Sequence, residues 1–413
     1  MLLLFLFGAP ATAMVATSVA TLSRSIKTPD PIPEEGIAAA VECMRSGRLF
    51  RYNVNSRDES YVSLCEADFA AYTGFRFALG MNSCGSALFV SLKCAGVKPG
   101  DGVLTNGFTF TAVPSAIVHA EAVPVYVECT DGYVVDVDDL EKKIIESGAK
   151  FFMISHMRGK VADMDAVKEL CDEHDVVLME DCAHALGVQW KGMQCGHHGA
   201  IASFSSQSYK MLNSGEGGFL ATNDDDYFAA AMAYAGAYES LAKKHITVPK
   251  QDSLATFLDG SIPNYSLRMH EASAAMLRPQ IETIDSRRAV YNDRYEYVVS
   301  RLQAKCDHVV VPDQLKEVTP VADSLQFNVP KIKTENIDLF LSRCEARGLP
   351  VERFGAANNA RNFENWKYAP LATLPQTKAI ISKAFDVRLP LRFHKDELDL
   401  IADIIADELN ASF

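Results

Sequence analysis

Val176-Val177-Leu178-Met179-Glu180-Asp181-Cys182-Ala183-His184 is an apolar run that ends in two adjacent carboxylates and a histidine. An unbroken apolar series of this length suits a strand covered on both faces, as in a parallel sheet. Open α/β sheets bind ligands at the carboxyl ends of their strands. Asp181 therefore stands where a functional carboxylate belongs, although acids also end strands as helix caps.

The same rhythm extends on both sides. Strand-like runs fall at Phe77–Asn82, Gly102–Gly107, Pro124–Cys129, Phe151–His156, Val176–Glu180, Ala202–Ser206 and Gly218–Thr222, with helical stretches Gly85–Ala95, Thr111–His119, Val137–Ser147 and Met164–His174 between them. This alternation predicts an α/β fold, a mostly parallel sheet with helices on both faces. After about residue 275 the rhythm changes to one long helical stretch, Ala272–Ala304, then strand-like His308–Pro312 and Ser324–Pro330, then helices Asn336–Arg347 and Lys395–Asn410. We expect a large domain over 28–275 and a smaller α+β domain over 276–413. The amphipathic stretch Pro33–Ser46 is expected near the small domain or across a dimer interface.

Hydrophobic residues make up 48% and charged residues 23% of the 413, an ordinary folded composition. The net charge of −13 argues against nucleic acid or an anionic membrane as the main partner. Ten cysteines without regular spacing fit a reducing compartment better than a disulfide framework. Cys182, His184, Cys195, His197 and His198 cluster in sequence but lack the paired short spacing of a zinc site, so no metal is expected. Residues 1–23 carry no charge, and residues 1–27 read as a leader or disordered N-terminus. The protein would then be cytoplasmic, or lie in an organelle lumen if the leader is a presequence.

Four segments carry chemistry. Ser83-Cys84-Gly85-Ser86-Ala87 ends a strand and opens a helix, and its small residues let N–H groups reach an anion. Asp181 ends the decisive strand. Ser203-Phe204-Ser205-Ser206-Gln207-Ser208-Tyr209-Lys210, with Ser214-Gly215-Glu216-Gly217-Gly218, suits a Schiff-base lysine beside a phosphate clamp. In Phe108-Thr109-Phe110 the second ring could cover a flat heterocycle.

Together these segments resemble the pyridoxal-phosphate sugar aminotransferase family (DegT/DnrJ/StrS type), of the aspartate aminotransferase superfamily, fold type I. Gly159-Lys-Val-Ala-Asp-Met-Asp165 and Arg388-Leu-Pro-Leu391 strengthen the resemblance, which runs from about Ile32 to the C-terminus. It implies a three-layer α/β/α fold, pyridoxal 5′-phosphate as cofactor, and a homodimer whose active site lies at the subunit interface. By the same resemblance Lys210 would bond the cofactor, Asp181 would meet its ring nitrogen, Phe110 would stack on it and His184 would lie by its 3-hydroxyl. Ser205, Gly85 and Ser86 would hold the phosphate. An asparagine from the neighbouring subunit completes that site in relatives, in an Asn-Tyr-Arg-Met-like stretch. Here Asn264-Tyr265-Ser266-Leu267-Arg268-Met269 is two residues longer, leaving Asn264 or Ser266 as the donor in trans.

Arg158 departs from the family's His-Leu-Tyr-Gly, and is expected either to pair with a substrate carboxylate or phosphate or to form a structural salt bridge. Arg268 is a second candidate for substrate. The implied activity is an aminotransferase moving an amino group from L-glutamate or L-glutamine to a keto sugar, nucleotide-linked or free, or to a keto-cyclitol. The rivals are a dehydratase on the same scaffold, disfavoured because Lys210 is present, and a non-catalytic sensor.

Overall fold

The computed structural model describes residues 20–413. In chain order its strands are β1 (Phe77–Met81), β2 (Gly102–Asn106), β3 (Val123–Val127), β4 (Phe151–Ser155), β5 (Val177–Asp181), β6 (Gln189–Trp190), β7 (Met193–Gln194), β8 (Ile201–Ser205), β9 (Gly218–Thr222), β10 (Val318–Thr319), β11 (Ser324–Asn328), β12 (Glu352–Arg353) and β13 (Ala384–Arg388). Seven of them form the central sheet in the order β1-β9-β8-β5-β4-β2-β3. All run in parallel except β9, which lies antiparallel between β1 and β8. The mostly parallel sheet is as expected.

Period-two alternation along the strands divides the core. Leu104, Phe152 and Leu178 face helices Val137–Ser147 and Met164–Glu173 through Leu140, Ile144, Val167 and Leu170. Their neighbours Val103, Met153 and Met179 face helices Cys84–Cys94 and Ala112–His119 through Leu88, Leu92, Val113 and Ile117. Aspartates start the helices because each accepts two otherwise unpaired N–H groups: Asp136 from Asp138 and Asp139, Asp163 from Asp165 and Ala166. All ten cysteines are unpaired, and all but Cys94 are buried.

The C-terminal part carries the sheet β11-β13-β12, backed by helices Thr334–Ala346 and Lys395–Asn410 around Phe327, Phe340, Phe385 and Ile401. The single helix expected over Ala272–Ala304 is two, Glu271–Ile281 and Ile284–Gln303. At the break the Thr283 N–H and hydroxyl both bond the Gln280 carbonyl (3.1 and 2.8 Å), a local competitor for helix bonding. The boundary expected at 275/276 falls inside the first of these helices. Ile284 and Tyr291 of the second belong to the large core, Val298 and Leu302 to the small one, so the changeover lies within that helix. His308–Pro312 is no strand. Only Val310 pairs, bridging Asn328, and proline closes the segment.

The N-terminal expectation also needs correction. Leu22 and Ile26 are buried in the small core, the Leu22 N–H bonds the Arg347 carbonyl (2.8 Å), and Arg24 pairs with Glu397. Residues 20–27 are thus part of the fold, whereas the leader reading of 1–19 lies outside the described residues. Helix Glu34–Ser46 packs its Ala40 and Cys43 against Ala272 and Ala275, on a helix of the large domain rather than on the small domain. Among the described residues no helix is long and apolar enough to cross a membrane.

Candidate active site

The carboxyl ends of β5 and β8 and the helix that follows β1 converge on a cavity of about 400 Å³. Asp181 forms its floor. Its Oδ2 accepts the Ser155 hydroxyl (2.8 Å) and its Oδ1 the Ala183 N–H (3.0 Å), with no cation among the described residues bonded directly to it. Burial raises its carboxyl above the ordinary range, opposed by those two bonds and by the charge of Lys210.

Lys210 leaves the turn after β8. The turn closes through Ser206 N–H to the Gly217 carbonyl (3.0 Å) and Ser214 N–H to the Ser206 carbonyl (2.9 Å). Gly217 is required there: at φ +154° a side chain would run into the Ser206 and Ser214 hydroxyls. The Lys210 Nζ lies 2.7 Å from His184 Nε2. Burial, then the Arg158 charge, pushes the amine down to about 7 against the pull of Asp181. Burial and Lys210 hold His184 well below its ordinary value, so the imidazole is neutral. A neutral amine beside a neutral imidazole can act as a nucleophile and as a base.

The third wall is the N-terminus of helix Cys84–Cys94. Ser83 caps it, its Oγ accepting the Ser86 N–H (3.0 Å) and its carbonyl the Ala87 N–H (3.2 Å). The N–H groups of Cys84 and Gly85 have no acceptor within the helix. Space over Gly85 is open, with only Ser83 Oγ within 4 Å of where a Cβ would be, so an anion can approach the backbone. Ser205 lines the same cavity, and Phe110, 40% exposed, stands at its rim.

Lys210, Asp181, His184, Phe110, Gly85 and Ser205 are therefore gathered together. Ser86 is not fully among them. Its hydroxyl donates to Asn82 Oδ1 (2.6 Å), and the residue lines an adjoining open cavity with Tyr265 and Leu267. Asn264 is exposed, does not line the Lys210 cavity, and its Oδ1 accepts the Ser266 N–H and hydroxyl (3.2 and 3.0 Å). Arg268 does not line the Lys210 cavity of its own chain. Its Nη1 donates to the Gly236 carbonyl (2.9 Å) at the end of helix Asp225–Ala235, and its guanidinium covers Phe50. Of the two readings of Arg158 the structure gives the salt bridge: it is buried and paired with Asp386 of β13.

Glu180 points away from Asp181. It accepts His156 Nε2 (2.8 Å), Gly196 N–H (2.8 Å) and Gly199 N–H (2.6 Å), which outweigh burial and hold it below the ordinary carboxylate range. With Cys182 these two side chains form the one close His/Cys/Asp/Glu group among the described residues, and both Glu180 oxygens are already committed. His197 stacks on Phe75 and bonds the Thr73 carbonyl, while His184 faces Lys210, so the histidines of the sequence cluster diverge.

Arg361 and Arg388 also line the cavity, and Arg388 is the one of the two that the sequence reading does not place at the substrate. A signal existed for Arg388: along β13 Phe385 and Val387 enter the small core, so Asp386 and Arg388 must face the other way.

The model of the DegT/DnrJ/EryC1/StrS aminotransferase family matches residues 32–406. The chain belongs to that family. The family depends on pyridoxal 5′-phosphate, as expected from the motifs. Among its members the chain is 30% identical over 326 residues to the 3-amino-5-hydroxybenzoate synthase of Amycolatopsis mediterranei (strain S699), covering 78% of each chain. It is 32% identical over 219 residues to a putative L-glutamine:3-amino-2,3-dideoxy-scyllo-inosose aminotransferase of Micromonospora echinospora, covering 53% of this chain and 50% of that one. The chain spans about half the length of several curated relatives it matches. A crystal structure of 3-amino-5-hydroxybenzoic acid synthase superposes with a TM-score of 0.81 at 26% identity, over 95% of this chain and 100% of that one. These family members share the fold expected from the sequence.

The residues fit the family's cofactor. A buried carboxylate with no bonded cation among the described residues suits a protonated ring nitrogen, the open space over the Gly85 backbone suits a phosphate, and a neutral lysine suits covalent attachment.

Proposed function

We propose that this chain is an aminotransferase that takes the amino group of L-glutamate or L-glutamine and passes it to the ketone of a keto sugar or keto-cyclitol. The observation that carries the reading is the pairing, across one cavity, of a buried Asp181 carboxylate with a Lys210 amine held near neutrality. When bound, pyridoxal phosphate supplies an electron sink and a carrier for the amino group. Asp181 would keep the ring nitrogen protonated, Phe110 would cover the ring, and Ser205 with the Cys84 and Gly85 N–H groups would hold the phosphate. Lys210 Nζ would take the proton from the donor's α-carbon and return one to the acceptor's former carbonyl carbon. His184, neutral and 2.7 Å away, orients that amine. Arg361 and Arg388 are the cations placed to receive the donor's carboxylate.

The working unit in this reading is a homodimer, with Asn264 or Ser266 reaching the partner's phosphate site. Asn264, Tyr265 and Ser266 are all exposed, which supports a contact made outside the single chain.

The test is a screen of keto sugars and keto-cyclitols against protein converted by glutamate to the pyridoxamine form, following return of the cofactor spectrum. Turnover in wild type and none in Lys210→Ala, with cofactor still bound in the variant, is the expected result. Cycling by Lys210→Ala, or no reaction of wild type with any amino donor, would sink the assignment and favour the sensor. Mixing Lys210→Ala with an Asn264→Ala/Ser266→Ala double variant should restore activity in hybrid dimers; no rescue, once hybrids are shown to form, would place the whole site within one chain.

A further inference from the structure

Behind the Lys210 cavity, between the two domains, lies a smaller cavity of about 110 Å³. The turn after β4 contributes Arg158 and Lys160, helix Ile284–Gln303 contributes Tyr295, and β11 contributes Gln326. Lys160 is 5% exposed; among the described residues its ammonium has no hydrogen-bond acceptor, but its Nζ is not one of the buried atoms left without a partner. The nearest aromatic is the Tyr295 ring, 5.8 Å from Nζ. Arg158 is 4% exposed. Its Nη2 is held by Asp386, but Nε and Nη1 are buried without partners. Gln326 donates its NH2 group to Ser324 Oγ (2.9 Å) and Asp386 Oδ1 (2.8 Å), and its Oε1 is not bonded to either free Arg158 nitrogen.

Buried donors almost always find acceptors, and buried charges find counter-charges. Asp386 neutralises one of the two cations and the exposed Glu296 carboxylate also lines the cavity, so what the space offers an anion is not net charge but the unused Nε and Nη1 donors of Arg158. Asp313 acts on Lys160 only through its longer-range charge, and burial still pushes the amine down to about 8. Arg158 is also held at φ +57°, a conformation that side chains other than glycine adopt at a cost, so the turn presents this guanidinium despite local strain.

We propose that this interdomain cavity binds a small oxyanion, a phosphate or carboxylate group, between Lys160 and Arg158. Such an anion would take the free donors of both side chains and, because Lys160 belongs to the large domain and Tyr295 and Gln326 line the opposite wall, would bridge the two domains. It is separate from the phosphate position over Gly85.

The experiment uses cofactor-loaded protein, so that the Gly85 position is filled. Inorganic phosphate and, separately, acetate are titrated by calorimetry, with thermal unfolding followed in parallel. Saturable binding of phosphate identifies a phosphoryl ligand and of acetate a carboxylate; either supports the site. Lys160→Met, which keeps the apolar stem against Tyr295, should weaken that binding by about tenfold or more, the loss expected for a charged hydrogen bond. Lys160→Arg should retain it. Saturable binding of neither anion at millimolar concentration, or equal binding by wild type and Lys160→Met, would overturn the proposal. Circular dichroism of the variants separates lost binding from lost folding.

Discussion

Glu180→Gln should destabilise the large domain by about 3 kcal/mol while leaving the chemistry of the site intact. The carboxylate accepts three hydrogen bonds: Oε2 from His156 and Gly196, Oε1 from Gly199. Glutamine keeps one oxygen. If that oxygen takes the Oε2 position, its NH2 group meets the Gly199 N–H, and a buried donor without acceptor costs about 1–3 kcal/mol. The two remaining bonds lose their charge assistance, falling from about 1.5–3 to about 1 kcal/mol each. Asp181→Asn has no such cost, because Asn Oδ1 can keep the Ala183 N–H and the Ser155 hydroxyl can turn to accept from the new amide. Urea denaturation of cofactor-free protein, followed by circular dichroism and extrapolated linearly, compares the two. Stopped-flow measurement of the glutamate half-reaction then separates roles: Asp181→Asn should slow it by orders of magnitude, and folded Glu180→Gln should not. A Glu180→Gln protein within about 0.5 kcal/mol of wild type, or less destabilised than Asp181→Asn, would refute the hydrogen-bond reasoning.

Lys210 titrates near 7 in the folded, cofactor-free protein against 10.5 as the ordinary value, so its burial penalty is full below about pH 7 and lifts as pH rises toward 10.5. Relative to Lys210→Met, cofactor-free wild type should therefore gain stability over that window, by at most about 1.4 kcal/mol per pH unit; a flat difference in urea midpoints contradicts a buried neutral amine. Arg388→Leu should raise the KM for the amino donor about tenfold to a hundredfold, as loss of a carboxylate partner requires, and an unchanged KM removes Arg388 from the donor site. Arg268→Met should cost about 1–2 kcal/mol in urea denaturation through the uncapped Gly236 carbonyl; a large rise in substrate KM without loss of stability would return Arg268 to the binding role.

What the sequence made legible was whatever local chemistry decides. Buried parallel strands read as apolar runs, so all seven strands of the central sheet were visible, as were Asp181 at the end of one and Lys210 in the glycine-closed turn after another. Ser86 and Arg268 carry partners that motif spacing does not report: the hydroxyl bonds Asn82 and the guanidinium the end of a helix 32 residues earlier in the chain. Arg158 shows the same limit, since Asp386, 228 residues away, decides its role. Leu22 and Ile26 looked like part of a leader because their apolar neighbours precede them in sequence, while their actual partners come from helices far down the chain.

Helix Ile284–Gln303 has a mechanical consequence. Its 20 residues span about 30 Å and root Ile284 and Tyr291 in one core and Val298 and Leu302 in the other. A hinge needs a few residues free to change their dihedral angles, and an unbroken ladder of helical hydrogen bonds supplies none. The two halves therefore share a spine, and swinging one against the other would bend a rod. Phe110, Tyr209 and Arg361, which line the cavity, stand instead on segments outside the helices and strands. On the proposed function, widening the cavity for a bulkier ketone is accordingly a problem of loop surgery at those three residues, and changes aimed at domain rotation would work against this helix.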